Sequence, residues 1–196
     1  MRFKAIGGKI NNKAIDKKIG ESKKFQKKAQ ELANKQFIEA KSRLIEDFDS
    51  HPVTTEIKGG TNASNLSGTL SGYGNLFSFI GFPEGSDPTV VVRNFLQSFV
   101  KMRPAGKKKG VNKDFVINVP TMKDFNFAVM PWESGNNWVR SVEMGISNFS
   151  HYMNKASKAS RSGKGVQIDG EIRTSSSKGV PYMREIINNF RKRLSK

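Results

Sequence analysis

Apolar residues recur at three- and four-residue steps over residues 21–49: Phe25, Ala29, Leu32, Ala33, Phe37, Ala40, Leu44 and Phe48, with Lys, Glu and Gln between them. That spacing is the period of an α-helix with one apolar stripe. At about 1.5 Å per residue such a helix runs roughly 43 Å, more than a compact domain of this size requires. Part of it is therefore expected to project or to pack on a neighbouring subunit, with Phe25, Leu32, Phe37 and Leu44 as the interface residues. His51-Pro52 ends it, because the residue before proline is steered away from helical backbone.

Beyond that helix the pattern shortens. Residues 53–57 (Val-Thr-Thr-Glu-Ile) alternate and are β-branched, which predicts a strand. Residues 58–74 are rich in Gly, Ser, Thr and Asn, with Leu66 and Leu70 as the large apolar residues, and read as a long mobile loop or a loosely formed hairpin. Residues 76–82 (Leu-Phe-Ser-Phe-Ile-Gly-Phe) read as a strand. Ser86-Asp87-Pro88 supplies helix-start residues for Val90, Val91, Phe95, Leu96 and Phe99. A basic turn at 104–110 follows, then strands at 115–119 and 125–129 separated by Pro120. Trp138, Val142, Ile146, Phe149 and Met153 predict a helix over 137–153, and residues 156–165 read as a Ser/Lys/Gly loop. Residues 166–172 alternate as a strand, and Pro181 opens a last helix carrying Met183, Ile186, Ile187, Phe190 and Leu194.

This order predicts an α+β fold in which a long N-terminal helix and a C-terminal helix pack on a mixed or antiparallel curled sheet. The expected organisation is a basic N-terminal arm at 1–20 and one α+β domain at 21–196, with an inserted basic segment near 101–113. No stretch approaches the roughly 18 apolar residues of a membrane span. The N-terminus begins positively but lacks an apolar core segment, so no signal peptide is expected.

Charge changes the picture most. The chain holds 34 Lys+Arg against 17 Asp+Glu, a formal +17 on 196 residues. A surplus of that size calls for an anionic partner, either nucleic acid or an acidic protein surface. Lys13, Lys17, Lys18, Lys24 and Lys28 in the amino-terminal region, with Lys107, Lys108 and Lys109 further on, are the expected contacts.

Candidate chemistry is sparse. The absence of cysteine removes disulfides, thiolate zinc sites and a cysteine nucleophile together. The two histidines, His51 and His151, have no metal-ligand spacing, no serine lies in a nucleophile elbow, and the Gly-rich stretch at 59–74 lacks the Gly-Lys-Ser/Thr ending of a phosphate loop. Glu56-x-Lys58, with Asp47 and Asp49 upstream, has the residue types of a magnesium nuclease, but the same triplet is common on exposed strands. Phe77, Phe79 and Phe82 suit a buried sheet face better than a base-stacking platform. No catalytic residue, metal or cofactor is expected. Sequence-independent nucleic-acid binding, with or without nuclease activity, is the alternative function.

Two segments carry a resemblance. Ala40-Lys41-Ser42-Arg43-Leu44-Ile45 leads to Pro52-Val53-Thr54-Thr55, and Val180-Pro181-Tyr182-Met183 opens the last helix; residues 76–85 supply a central element and turn. In these the chain resembles the tail-completion (head–tail joining, minor tail component) family of tailed bacteriophages, residues 76–85 matching the family's central strand and turn. It departs from the family's Thr-Gly-x-Leu, which here reads Thr55-Glu56-Ile57, and its insert at 104–153 is larger. The resemblance implies a virion structural protein of the neck or tail top, made in the host cytoplasm, without enzymatic activity. It also implies a ring of identical subunits, commonly a hexamer, that touches neighbouring neck or tail proteins, and DNA in the channel where the basic arm reaches it.

Overall fold

The computed structural model describes residues 12–68, 74–105, 111, 113–131, 133–144 and 181–195. Helix α1 (Asn12–Glu21) is followed, after Ser22, by helix α2 (Lys23–Ser50), the long element that the apolar period predicts. Helices α3 (Pro52–Lys58), α4 (Leu76–Ile80) and α5 (Thr89–Phe99) come next. Strands β1 (Lys101–Pro104) and β2 (Phe115–Asn118) form one antiparallel ribbon; β3 (Val129–Met130) and β4 (Glu133–Asn137) form another. Helix α6 (Trp138–Met144) and the C-terminal helix α7 (Met183–Leu194) complete the described chain. The class is α+β, with a long N-terminal helix and a C-terminal helix.

Two compact units emerge. The first comprises residues 1–39 and 101–118, the second residues 40–100 and 119–196. Among the described residues, every buried apolar side chain belongs to the second unit. Its core draws Leu44 and Phe48 from α2, Val53 and Ile57 from α3, Phe77 and Ile80 from α4, Val92 and Leu96 from α5, Trp138 and Val139 from α6, and Met183, Ile186 and Phe190 from α7. Polar clamps reinforce it. Lys41 Nζ donates to the carbonyls of Gln97 (2.6 Å) and Val100 (2.9 Å), placing a cation at the carboxyl end of α5, where unpaired carbonyls and the helix dipole favour one. Arg93 Nε donates to both oxygens of Asp49, and Arg193 grips Asp47 with two guanidinium nitrogens at 2.6 and 3.1 Å. The first unit lacks such a core. Among its described residues no apolar side chain is buried, and Ile15, Ile19, Leu32, Ile38 and Val116 are exposed.

Several expected strands are helical. Residues 53–57 lie in α3: Pro52 occupies the first helical turn, where its missing N–H costs nothing, and His51 Nδ1 accepts the Val53 N–H as the cap. Val53, Thr54, Glu56 and Ile57 all point inward, a helical spacing that outweighs β-branched propensity. Residues 76–80 lie in α4. Asn75 Oδ1 caps its start by accepting the Ser78 N–H, and Gly81 ends it in the left-handed region at φ +79°. The expected strand at 125–129 reduces to Val129–Met130. Before it comes a 3-10 turn over Met122–Phe125, which Asp124 holds by accepting from the Thr121 N–H and Oγ1. Helix α5, the strand at 115–118 and the last helix stand as the sequence predicts. The expected strand at 166–172, the loop at 156–165 and residues 145–153 of the expected helix lie outside the described residues.

Candidate functional site

The acids that suggested a nuclease are occupied. Glu56 is fully buried; its Oε1 accepts the Leu76 N–H and its Oε2 the Ser67 N–H, both at 2.7 Å. Asn75, also buried, donates to the carbonyls of Thr61 and Ala63, so two polar side chains hold both described ends of the stretch expected to be a mobile loop. Asp47 and Asp49 are ion-paired with Arg193 and Arg93, and Lys58 is exposed on α3. Among the described residues no group of three His, Asp or Glu side chains could hold a metal ion. His151 lies outside them.

Three surfaces remain. One is the junction between the start of α3 and the start of α7. His51 Nδ1 accepts from Val53, which leaves Nε2 as the protonated nitrogen, donating to the Pro181 carbonyl at 3.1 Å. The Tyr182 ring lies 4.9 Å from the His51 ring and stacks at 6.4 Å on Trp138. Its hydroxyl shares a buried 2.9 Å hydrogen bond with Thr54 Oγ1. Burial lowers the His51 pKa, against the opposing pull of the Pro181 carbonyl and Glu185, and raises the Tyr182 pKa. Burial likewise raises Glu143, which accepts the Arg184 N–H, so the carboxyl is held above its usual range despite Arg184. Phe77 and Phe82 pack inward, Phe82 meeting Trp138 edge-on, but from α4 and the turn after it and not from a sheet face, and Phe79 is half-buried.

A second surface is an apolar ledge along α5. Val92 and Leu96 face the core, while Val91, Phe95 and Phe99 follow one another at four-residue steps on an outer face. Phe95 touches buried Phe125 and half-open Phe127, with ring centroids 5.2 and 4.8 Å apart, and contacts Phe99 at 4.9 Å. Val91 is 55% exposed and Phe127 39%. The ledge was not singled out by sequence, because Val90, Val91, Phe95 and Phe99 give one undivided helical pattern.

The third is the basic unit. Its 57 residues carry 17 Lys+Arg and 5 Asp+Glu, net +12, whereas the 139 residues of the packed unit carry 17 and 12, net +5. Lys13, Lys17, Lys18, Lys24 and Lys28 are all exposed, as expected of contact residues; Lys107, Lys108 and Lys109 lie outside the described residues. Phe25 and Phe37 are half-buried and Leu32 is 58% exposed. Leu44 corrects the interface expectation: it is 1% exposed within the chain's own core and so is not free to meet a second subunit. No family model, curated protein or solved structure matches the chain.

Proposed function

We propose that the chain is a non-enzymatic virion structural protein of a tailed bacteriophage, a ring subunit at the neck or tail top that joins or completes head and tail. One observation carries this reading. The segments that resemble the tail-completion family, 52–55 and 180–183, lie about 130 residues apart in sequence, yet Thr54 and Tyr182 share a buried hydrogen bond. Where they are described, the two segments therefore meet at one junction. The engaged acids around Glu56 favour this reading over a nuclease.

The ring contact belongs on the α5 ledge. A ledge of exposed Val90, Val91 and Phe127 beside half-buried Phe95 and Phe99, seated on a packed core, suits a neighbouring copy, and a heterologous contact of this kind closes into a ring. The basic unit is a poorer self-contact, since it would set one large positive charge against another. Light scattering and negative-stain microscopy of the purified protein test this. Concentration-dependent rings are expected, and Val91→Asp with Phe127→Ser should remain monomeric with a melting profile close to that of the parent. A parent that stays monomeric at every concentration, with or without added DNA, would overturn the ring.

A further inference from the structure

We infer that the basic unit is a sequence-independent binding surface for duplex DNA, seated on Lys13 and Lys17 of α1 and on Lys24, Lys28 and Lys35 of α2. The spacing comes first. These lysines follow one another at steps of four, seven, four and seven residues, each close to a whole number of helical turns, so each helix presents its lysines in a line. On α2 the line from Lys24 to Lys35 is about 16 Å long at about 1.5 Å per residue. A row of separated charges matches a linear polyanion.

The side-chain chemistry points the same way. Of the 17 basic residues in the unit, 15 are lysine and two, Arg2 and Arg103, are arginine. Lysine is a compact, strongly hydrated point charge without the planar fork that reads a particular carboxylate or base edge. It suits a phosphate line approached without directional demand. The unit contains no Trp or Tyr, and its described phenylalanines, Phe25, Phe37 and Phe115, are half-buried, so the described residues offer no platform for splayed bases. The occupant is therefore a duplex and not a single strand. Acids stand on the same line, Glu21 and Glu39 at four-residue steps from Lys17 and Lys35, and Glu31, which is 3.5 Å from Lys28 with both side chains more than half exposed. Exposed pairs of this kind contribute little, so a phosphate can displace the carboxylate. A second copy of the unit is a poor occupant, because it brings the same net +12.

Fluorescence anisotropy on the full chain, with a labelled duplex of arbitrary sequence, tests the inference. Five lysine–phosphate contacts give a slope of about −4.5 in log affinity against log salt, so affinity should fall roughly 500-fold between about 50 and 200 mM salt. The triple variant K24E/K28E/K35E should flatten that slope by about 2.7, one increment of about 0.9 for each lost contact. Changing Lys123 and Arg140 of the other unit to Glu should leave it unaltered. Circular dichroism and light scattering on the same samples separate lost contacts from lost fold or assembly. Binding of polyglutamate but not of the duplex would overturn the inference and assign the unit to an acidic protein. A salt slope indifferent to the triple variant would also overturn it. The inference is independent of the ring: intact rings that ignore DNA refute it alone, and a monomer that binds DNA refutes only the ring.

Discussion

Glu56 is a buried side chain whose two oxygens each accept one backbone N–H from elements brought close only by the fold. Its isostere should therefore be damaging. Glu56→Gln turns an NH2 toward one of two N–H donors and leaves that donor unpaired, for an expected loss of about 1–3 kcal/mol in urea unfolding. His51 makes a second prediction at this scale. Its cap on α3 requires an unprotonated Nδ1, and its folded pKa lies below the ordinary value of 6.5. The unfolded chain thus takes up the proton first: the stabilising contribution is whole above the ordinary value and is lost as pH falls through the depressed one. Between about pH 7 and 5.5 the melting temperature should drop, and His51→Asn, which can cap without titrating there, should lessen the drop. Glu143 has the opposite sign: its raised pKa makes acid favourable to the fold as pH falls toward the ordinary carboxylate range.

Short helices depend on their ends. In α4 the five residues are framed by the Asn75 cap and by Gly81, whose N–H donates to the Phe77 and Ser78 carbonyls from a left-handed backbone. Gly81→Ala should cost about 1–2 kcal/mol, readable by thermal melting, because a Cβ disfavours that conformation. The same element shows what sequence reading could and could not reach. Helix α2 was legible because its apolar period persists over seven turns, and α5 and α7 because a Pro-containing start precedes a periodic run. Residues 53–57 and 76–80 misled because each run is too short for periodicity to separate a strand from a buried helix. Their end signals, His51-Pro52 and Asn75 with Gly81, were present but weaker than β-branched and aromatic content. At the candidate site the exposed lysines were legible from charge alone. The α5 ledge was not, since only packing against Phe125 decides which face of α5 stays open.

Across the whole molecule, charge and core are distributed unequally. Buried apolar side chains collect in residues 40–100 and 119–196, while most of the net charge collects in residues 1–39 and 101–118. No run of sequence announces this partition, because it requires 101–118 to join the amino-terminal helices across about 60 intervening residues. A unit whose described residues bury no apolar side chain gains stability from whatever it binds, by mass action. Removing the ligand should therefore loosen it before the packed unit melts.

The meeting of Tyr182 and Arg193 with residues 47–54 also sets a timetable for biosynthesis. Asp47, Phe48 and Thr54 emerge early, yet their partners Tyr182 and Arg193 are added only after about 130 further residues, some 7–26 seconds at synthesis rates of about 5–20 residues per second. Throughout that interval Phe48 and Thr54 lack Tyr182, which leaves chains aborted before residue 181 with an incomplete core and open to proteolysis.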